Sequence, residues 1–143
     1  MITILSVGKK SDPLISQLEN HYLKQVKNLE VLAIKSFGDA HQEKEMQELT
    51  KKLSQYQAKS IFLLTENGKE YSSEKFSKLL SHQDLNVTFV ISGALGFSHK
   101  FKEQFTQHLS LSQMTFPHKF ARLLLIEQVY RGLSIINAHP YHK

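Results

Sequence analysis

The chain has 143 residues, enough for a hydrophobic core of its own, and we expect a single domain over residues 1–143. It has no cysteine, which excludes disulfides, thiolate catalysis and cysteine-ligated zinc; its formal net charge of +5 is compatible with a nucleic-acid partner without being specific for one. No apolar run approaches the roughly 20 residues that cross a bilayer, and the first ten residues place their apolar run before their charges, the reverse of a secretory signal. We therefore expect a cytoplasmic protein with no membrane partner.

Short apolar runs alternate with longer amphipathic stretches along the chain. The runs are rich in β-branched and aromatic residues and predict buried strands at residues 2–7, 31–34, 61–64 and 87–91. The stretches between them predict helices at Asp12–Lys27, Glu43–Gln57 and Ser72–Ser81. Strands that alternate with helices indicate an α/β fold in which helices cover both faces of a parallel sheet.

A further helix is predicted to begin at Pro117, with Thr115 or Phe116 as its cap, because proline suits a first helical turn. Its apolar residues run around most of its circumference. Either the domain core surrounds this helix or part of it meets another subunit. The second interpretation is favoured, since Leu125, Ile126 and Val129 exceed the needs of one buried stripe.

Ligands of open α/β sheets bind outside the carboxyl ends of the strands. Three loops meet that description: Thr65–Lys69, Ser92–Phe97 and Leu111–Phe116. Asn67-Gly68 in the first is also typical of a plain surface turn. Gly93 and Gly96 in the second would let a ligand approach the backbone, but they form neither a dinucleotide-binding fingerprint nor a P-loop.

The end of the sequence concentrates hydrogen-bonding and titrating groups in His139, Tyr141, His142 and Lys143. Chain ends are normally polar and unconstrained, so this composition indicates that the tail reaches into a site. The two histidines have no third ligand at familiar spacing, and no metal site is predicted. Within the preceding helix, Glu127 and Arg131 have the spacing of an ordinary surface ion pair.

Several segments resemble the ribosomal large-subunit pseudouridine methyltransferase H family (RlmH), which are small SPOUT-class methyltransferases. The resemblance is carried by LSQMTFPH at 111–118, EQVYR at 127–131 and the terminal HPYHK at 139–143. Residues 2–9 and 89–96 resemble the family as well, so the likeness spans essentially the whole chain.

The resemblance implies a C-terminal trefoil knot, a homodimer, and S-adenosyl-L-methionine as the cofactor bound in the knot. It also implies the reaction, methylation of N3 of a pseudouridine in the helix 69 hairpin of 23S rRNA on the assembled ribosome. By position, the implied cofactor-binding residues are Leu64, Ser92, Gly93, Leu111, Ser112, Gln113, Met114, Thr115 and Phe116. Ser92 stands where the family usually has glycine, and we expect an ordinary φ there.

For catalysis, we expect the tail residues His139, Tyr141, His142 and Lys143 to enter the pocket of the partner subunit and complete a composite site. Arg131 would orient the base or a phosphate, and His118 would be a supporting hydrogen-bonding group. Two other classes of protein stay open: a non-catalytic ribosome-binding protein, and a small α/β protein that binds a nucleotide or flavin. Calorimetry with S-adenosyl-L-methionine separates the three.

Overall fold

The computed structural model describes residues 1–8, 12–38 and 40–143, so Lys9 of the family resemblance lies outside the described residues. Within the described residues, the strands are β1 (Ile2–Val7), β2 (Leu29–Ile34), β3 (Ile61–Glu70), β4 (Thr88–Ile91) and β5 (Gln107–Ser110). The helices are α1 (Pro13–Leu23), α2 (Gln42–Leu53), α3 (Ser73–His82), α4 (His99–Glu103) and α5 (His118–Ile136), with a 3-10 turn at Ala58–Ser60.

The strands form one parallel sheet in the order β2-β1-β4-β3-β5. Two apolar clusters cover its faces. One joins the sheet to α3 and α5 through residues such as Phe76, Phe89 and Leu125, and the other joins it to α2 and α4 through residues such as Leu49 and Phe101. The predicted α/β fold with helices on both faces is confirmed, and the trefoil knot stays a prediction.

Helix starts follow the sequence signals closely. Asp12 caps α1 by accepting a hydrogen bond from the backbone N–H of Leu14, and Ser72 caps α3 by accepting from Lys75. The predicted cap of α5 is wrong by one or two residues. Pro117 itself is the N-cap, with an extended ψ of 138°, so the helix begins at His118.

The interpretation of Leu125, Ile126 and Val129 as surplus apolar residues is wrong. All three are fully buried within one protomer, because α5 packs against both α1 and α3 as well as the sheet. The apolar side chains of α5 that stay exposed are instead Phe120, Leu124 and Ile136.

A buried ion pair joins α1 to the first turns of α5. The Arg122 guanidinium donates from Nε to Glu19 Oε1 at 2.9 Å and from Nη2 to Glu19 Oε2 at 3.1 Å. Its Nη1 donates to the hydroxyl of Ser6 on β1 at 3.3 Å. This fork fixes the start of α5, and therefore the loop before it, against the end of β1.

Candidate active site

A cleft of about 940 Å³ opens at the carboxyl ends of β3, β4 and β5. This is the edge of a parallel sheet where ligands bind, and the volume suits a drug-sized molecule. All the predicted cofactor residues except Gln113 line it: Leu64, Ser92, Gly93, Leu111, Ser112, Met114, Thr115 and Phe116. Gln113 belongs to the same loop and is exposed to solvent.

The turn after β4 is built around a glycine that cannot be replaced without movement. A Cβ added at Gly93 would lie 3.0 Å from Val7 Cγ1 and 3.2 Å from Glu45 Oε1. Gly96 has a φ of +71°, whereas Ser92 is not among the residues with positive φ, as expected. Gln42 on α2 holds the turn by donating from Nε2 to the carbonyl oxygens of Leu95 at 3.0 Å and Gly96 at 3.2 Å.

The loop between β5 and α5 is shaped by two serine hydroxyls. Ser110 donates to the carbonyl oxygen of Ser112 at 2.8 Å, and Ser112 Oγ accepts from the backbone N–H of Met114 at 3.0 Å. Within residues 1–8, 12–38 and 40–143, no hydrogen bond uses the backbone N–H groups of Thr115 and Phe116. These groups are therefore available to a ligand in the cleft.

Strand β3 has a wide bulge that forms one wall of the cleft. Leu64 and Lys69 both pair with Leu109 of β5, so residues 65–68 leave the ladder. A Cβ at Gly68 would lie 2.6 Å from the carbonyl carbon of Leu109 and 2.7 Å from that of His108. The surface-turn interpretation of Asn67-Gly68 is therefore wrong: this glycine is needed because two backbones approach each other closely.

His118 is the one predicted catalytic residue that lines the cleft of its own protomer. Its Nε2 lies 3.9 Å from where a Cβ of Gly8 would stand, at the end of β1. Partial burial, together with the charges of Lys119 and Arg122, lowers the pKa of His118 below its ordinary value of 6.5. The imidazole is therefore neutral at physiological pH and able to accept a proton.

The sequence reasoning missed one side of the cleft because it missed α4 and β5. His99, Lys102 and Glu103 of α4 and His108 of β5 line this side. His108 Nε2 lies 2.9 Å from the carbonyl oxygen of Phe105, in the turn between the two elements, and 3.4 Å from that of Lys102 on α4. Ser98 was the available signal: its hydroxyl caps α4 by accepting from the backbone N–H of Phe101 at 3.2 Å.

The tail residues, predicted to be catalytic, lie outside the cleft lining, where Tyr141 and His142 fold back onto the middle of α5. The Tyr141 hydroxyl donates to Glu127 Oε1 at 3.0 Å, and Arg131 forms an ion pair with the same carboxylate at 2.7 Å, so this pair is more than a surface contact. The Arg131 guanidinium also stacks on the Tyr141 ring, 4.7 Å from its centroid. His139 Nδ1 accepts from the backbone N–H of Tyr141, and both His139 and Lys143 are otherwise solvent-facing.

The hydrogen bonds of His142 indicate its tautomer in this arrangement. Arg131 Nη1 lies 3.0 Å from His142 Nδ1, and because a guanidinium can only donate, Nδ1 must be unprotonated. Nε2 then carries the proton and donates to Glu74 Oε1 at 3.0 Å. A backbone hydrogen bond and this bond from His142 lower the pKa of Glu74, so the acceptor is ionised near neutral pH.

Two further groups in the tail cluster keep their protons. Burial, then hydrogen bonds with Tyr22 and Glu127, raises the pKa of Tyr141 well above its ordinary value of 10.0. The hydrogen bond to Glu127 raises the pKa of Arg131. At physiological pH the cluster therefore presents a neutral phenol that donates and a permanent cation, neither of which can serve as a base.

The tail cluster does not line the cleft of its own chain. The cleft includes His118, the first residue of α5, whereas the tail follows its last residue, Ile136. The tail turns back along this helix to Glu127 and Arg131, which lie about 14 and 20 Å from His118 along its axis. The structure thus places His118 in the cleft and the tail cluster beside the middle of α5, outside the lining of the cleft.

Two kinds of feature are absent from the part of the chain that the structure describes. No group of three or more His, Cys, Asp or Glu side chains in them could hold a metal ion. No helix in that part of the chain is long and apolar enough to span a membrane.

The parallel α/β fold is that of a SPOUT-class methyltransferase, and the chain belongs to that family: the family model described as "Predicted SPOUT methyltransferase" matches residues 1–142. The chain is similar to "Ribosomal RNA large subunit methyltransferase H" of Acholeplasma laidlawii (strain PG-8A), at 38% identity over 147 residues covering 99% of each chain. The protein of the same name from Prochlorococcus marinus (strain NATL2A) is 40% identical over 143 residues, covering 98% of this chain and 94% of the relative. The one from Enterococcus faecalis (strain ATCC 700802 / V583) is 35% identical over 159 residues, covering 99% of each. The resemblance seen in the sequence is confirmed.

Proposed function

We propose that this enzyme transfers a methyl group from S-adenosyl-L-methionine to N3 of a pseudouridine in the helix 69 hairpin of 23S rRNA, acting on the assembled ribosome in the cytoplasm. The names of the relatives support large-subunit rRNA as the substrate. The observation that carries the proposal is the cleft at the carboxyl edge of the sheet, lined by the loop that leads into α5. The net charge of +5 suits an RNA partner.

The cleft fits the proposed cofactor on several grounds. Its volume of about 940 Å³ is in the range of small-molecule sites. Gly93 keeps the turn after β4 close to the sheet, and the backbone N–H groups of Thr115 and Phe116 are available as donors. When bound, S-adenosyl-L-methionine would supply a methyl group on a sulfonium; the thioether leaves as a nucleophile bonds to the methyl carbon, and this displacement needs no metal.

The residues of this chain have separate tasks in the proposed reaction. The cleft holds the two reactants in line, and such positioning can lower a barrier by about 7–11 kcal/mol in favourable cases. Neutral His118 stands in the cleft as an acceptor for the imide proton of N3, directly or through water. Arg131 and Tyr141 keep their protons, so they act as donors that orient the base and stabilise the charge that develops on it.

We propose that the site is composite and that the tail of a second copy completes it. The tail does not line the cleft of its own chain: it folds back onto Glu127 and Arg131, about 14–20 Å along α5 from His118. Exposed apolar side chains supply a surface for the second copy: Leu14 and Leu18 one turn apart on α1, and Phe120 and Leu124 one turn apart on α5. Helices α1 and α5 pack together, which places both pairs on neighbouring elements.

Mass mapping of rRNA tests the proposed substrate. In cells that lack this protein, 23S rRNA should have lost one methyl group within the helix 69 hairpin, and the intact chain should restore it. Unchanged methylation of that hairpin would contradict the proposal and would favour a non-catalytic ribosome-binding protein. Calorimetry separates the remaining class, since a nucleotide- or flavin-binding protein would saturate with a mononucleotide and not with S-adenosyl-L-methionine.

A further inference from the structure

Among the described residues, Thr65 Oγ1 is the buried side-chain polar atom that lacks a hydrogen-bond partner. Thr65 is the first residue of the β3 bulge and lines the cleft. A buried hydroxyl without a partner has lost its water and gained nothing in return, which is unfavourable. An atom of this kind in the wall of a binding cleft calls for an explanation in terms of the ligand.

We propose that the Thr65 hydroxyl is a binding contact for the methyl donor, a role that rests on the proposed function. A threonine hydroxyl can both donate and accept a hydrogen bond. A turn of about 120° around the Cα–Cβ bond moves Oγ1 to another staggered position, from which it can meet a ligand in the cleft that Thr65 lines. The binding of the donor then supplies the partner that the folded protein does not.

Other hydroxyls of the fold have a purely structural role, and their hydrogen bonding differs from that of Thr65. Thr50 donates to the carbonyl oxygen of Met46 at 2.8 Å, and Ser110 donates to that of Ser112 at 2.8 Å. Each of these hydroxyls is satisfied by the protein itself. If position 65 served packing alone, a valine would fill the same volume without an unsatisfied oxygen.

The bulge explains why the hydroxyl stands where it does. Residues 65–68 leave the β3–β5 ladder, and the close approach of Gly68 to Leu109 pins the far end of the bulge against β5. Leu64, the last paired residue, lines the cleft beside Thr65. Thr65 is therefore carried on a rigid wall and not on a free loop, so that a contact made there is preorganised.

Calorimetric titration of the full-length protein with S-adenosyl-L-methionine tests the proposal. Thr65→Val removes the hydroxyl and keeps the shape, and it should raise the Kd about fivefold, the effect of one neutral hydrogen bond. Thr65→Ser keeps the hydroxyl and should stay within about twofold of the unsubstituted protein. The matched control Thr50→Val removes a hydroxyl outside the cleft and should leave the Kd unchanged.

Thermal unfolding without ligand gives the second readout. Because Thr65→Val removes an unsatisfied hydroxyl, its Tm should equal or exceed that of the unsubstituted protein, while Thr50→Val should lower the Tm. A Thr65→Val variant that binds the donor normally, or that unfolds at a lower Tm, would overturn the assignment of Thr65 alone. Failure of the unsubstituted protein to bind S-adenosyl-L-methionine would instead overturn the proposed function.

Discussion

Replacement of Arg122 tests how the fold positions the cleft. Arg122→Leu removes two hydrogen bonds to Glu19, at 2.9 and 3.1 Å, and one to Ser6 at 3.3 Å. It leaves the Glu19 carboxylate, which is 5% exposed, buried without a counter-charge. The loss of one partner from a buried ion pair costs about 3–5 kcal/mol, a large share of the ~5–15 kcal/mol that stabilises a typical domain.

Urea unfolding measures this loss as a fall of about 2 M in the midpoint, given a slope of about 2 kcal/mol/M. The double variant Glu19→Leu/Arg122→Leu should recover most of the stability, because two apolar side chains replace the pair without leaving a lone charge. Lys119→Leu, which removes a neighbouring cation on the same helix, is the control and should change stability by less than about 0.5 kcal/mol. The reasoning would be refuted if Arg122→Leu cost under about 1 kcal/mol, or if the double variant were no more stable than the single one.

Three further predictions concern the cleft and the surface around it. The pKa of His118 in the folded protein is lowered from 6.5, so the stability that neutral His118 contributes is fully present above pH 6.5 and is lost as the pH falls from 6.5 through the lowered pKa. His118→Asn should therefore flatten this part of the curve of stability against pH, measured by urea unfolding. An unchanged curve would contradict this prediction. Gly68→Ala places a Cβ 2.6 Å from the Leu109 backbone and should cost about 1–3 kcal/mol while it weakens binding of S-adenosyl-L-methionine in calorimetry; normal stability would show that the bulge can yield. Phe120→Ser with Leu124→Ser should give a folded monomer by light scattering, and an undisturbed dimer would place the interface elsewhere.

The sequence predicted the sheet well where strands are buried on both sides. Ile2–Val7 is buried along its whole length, and a continuous apolar run of this kind is typical of a strand in a parallel sheet that is covered on both faces. It failed at the edge of the sheet: β5 has four residues, Gln107–Ser110, and its first two are polar, with Gln107 exposed and His108 partly buried. An edge strand that is paired on one side does not need an apolar run, so hydrophobic patterning could not reveal it.

The candidate site was predicted from loops and resemblance, and not from hydrophobic pattern. Loop positions alone brought Ser92, Gly93 and the segment before Pro117 to one edge of the sheet. The role of Gly68 could not be predicted from the sequence. A side chain is excluded there by the backbone of Leu109, which is 41 positions further along the chain. The burial of Leu125, Ile126 and Val129 could not be predicted either. Two helices and the sheet cover α5, and hydrophobic periodicity alone cannot distinguish a helix covered on several sides from one with surplus apolar residues.

The arrangement of the tail was predicted from the sequence only in part. Its unusual composition predicted a functional site, and its residues do cluster around Arg131 and Glu127. The pattern could not say that the tail would fold back onto the middle of α5 and stay outside the lining of the cleft. That separation is what turns a polar tail into an argument for two copies.

Complementation between two inactive variants tests the composite site most directly. One variant lacks residues 138–143 and keeps its cleft; the other, Ser92→Trp, has a filled cleft and keeps its tail. Each alone should be inactive, and the truncated one should still bind S-adenosyl-L-methionine. When the two are mixed in equal amounts and allowed to exchange subunits, about half the dimers are mixed and each mixed dimer has one complete site, so about a quarter of the unsubstituted activity should return. No recovery in a mixture shown to contain mixed dimers, or full activity of the truncated variant alone, would contradict a site closed by the second copy.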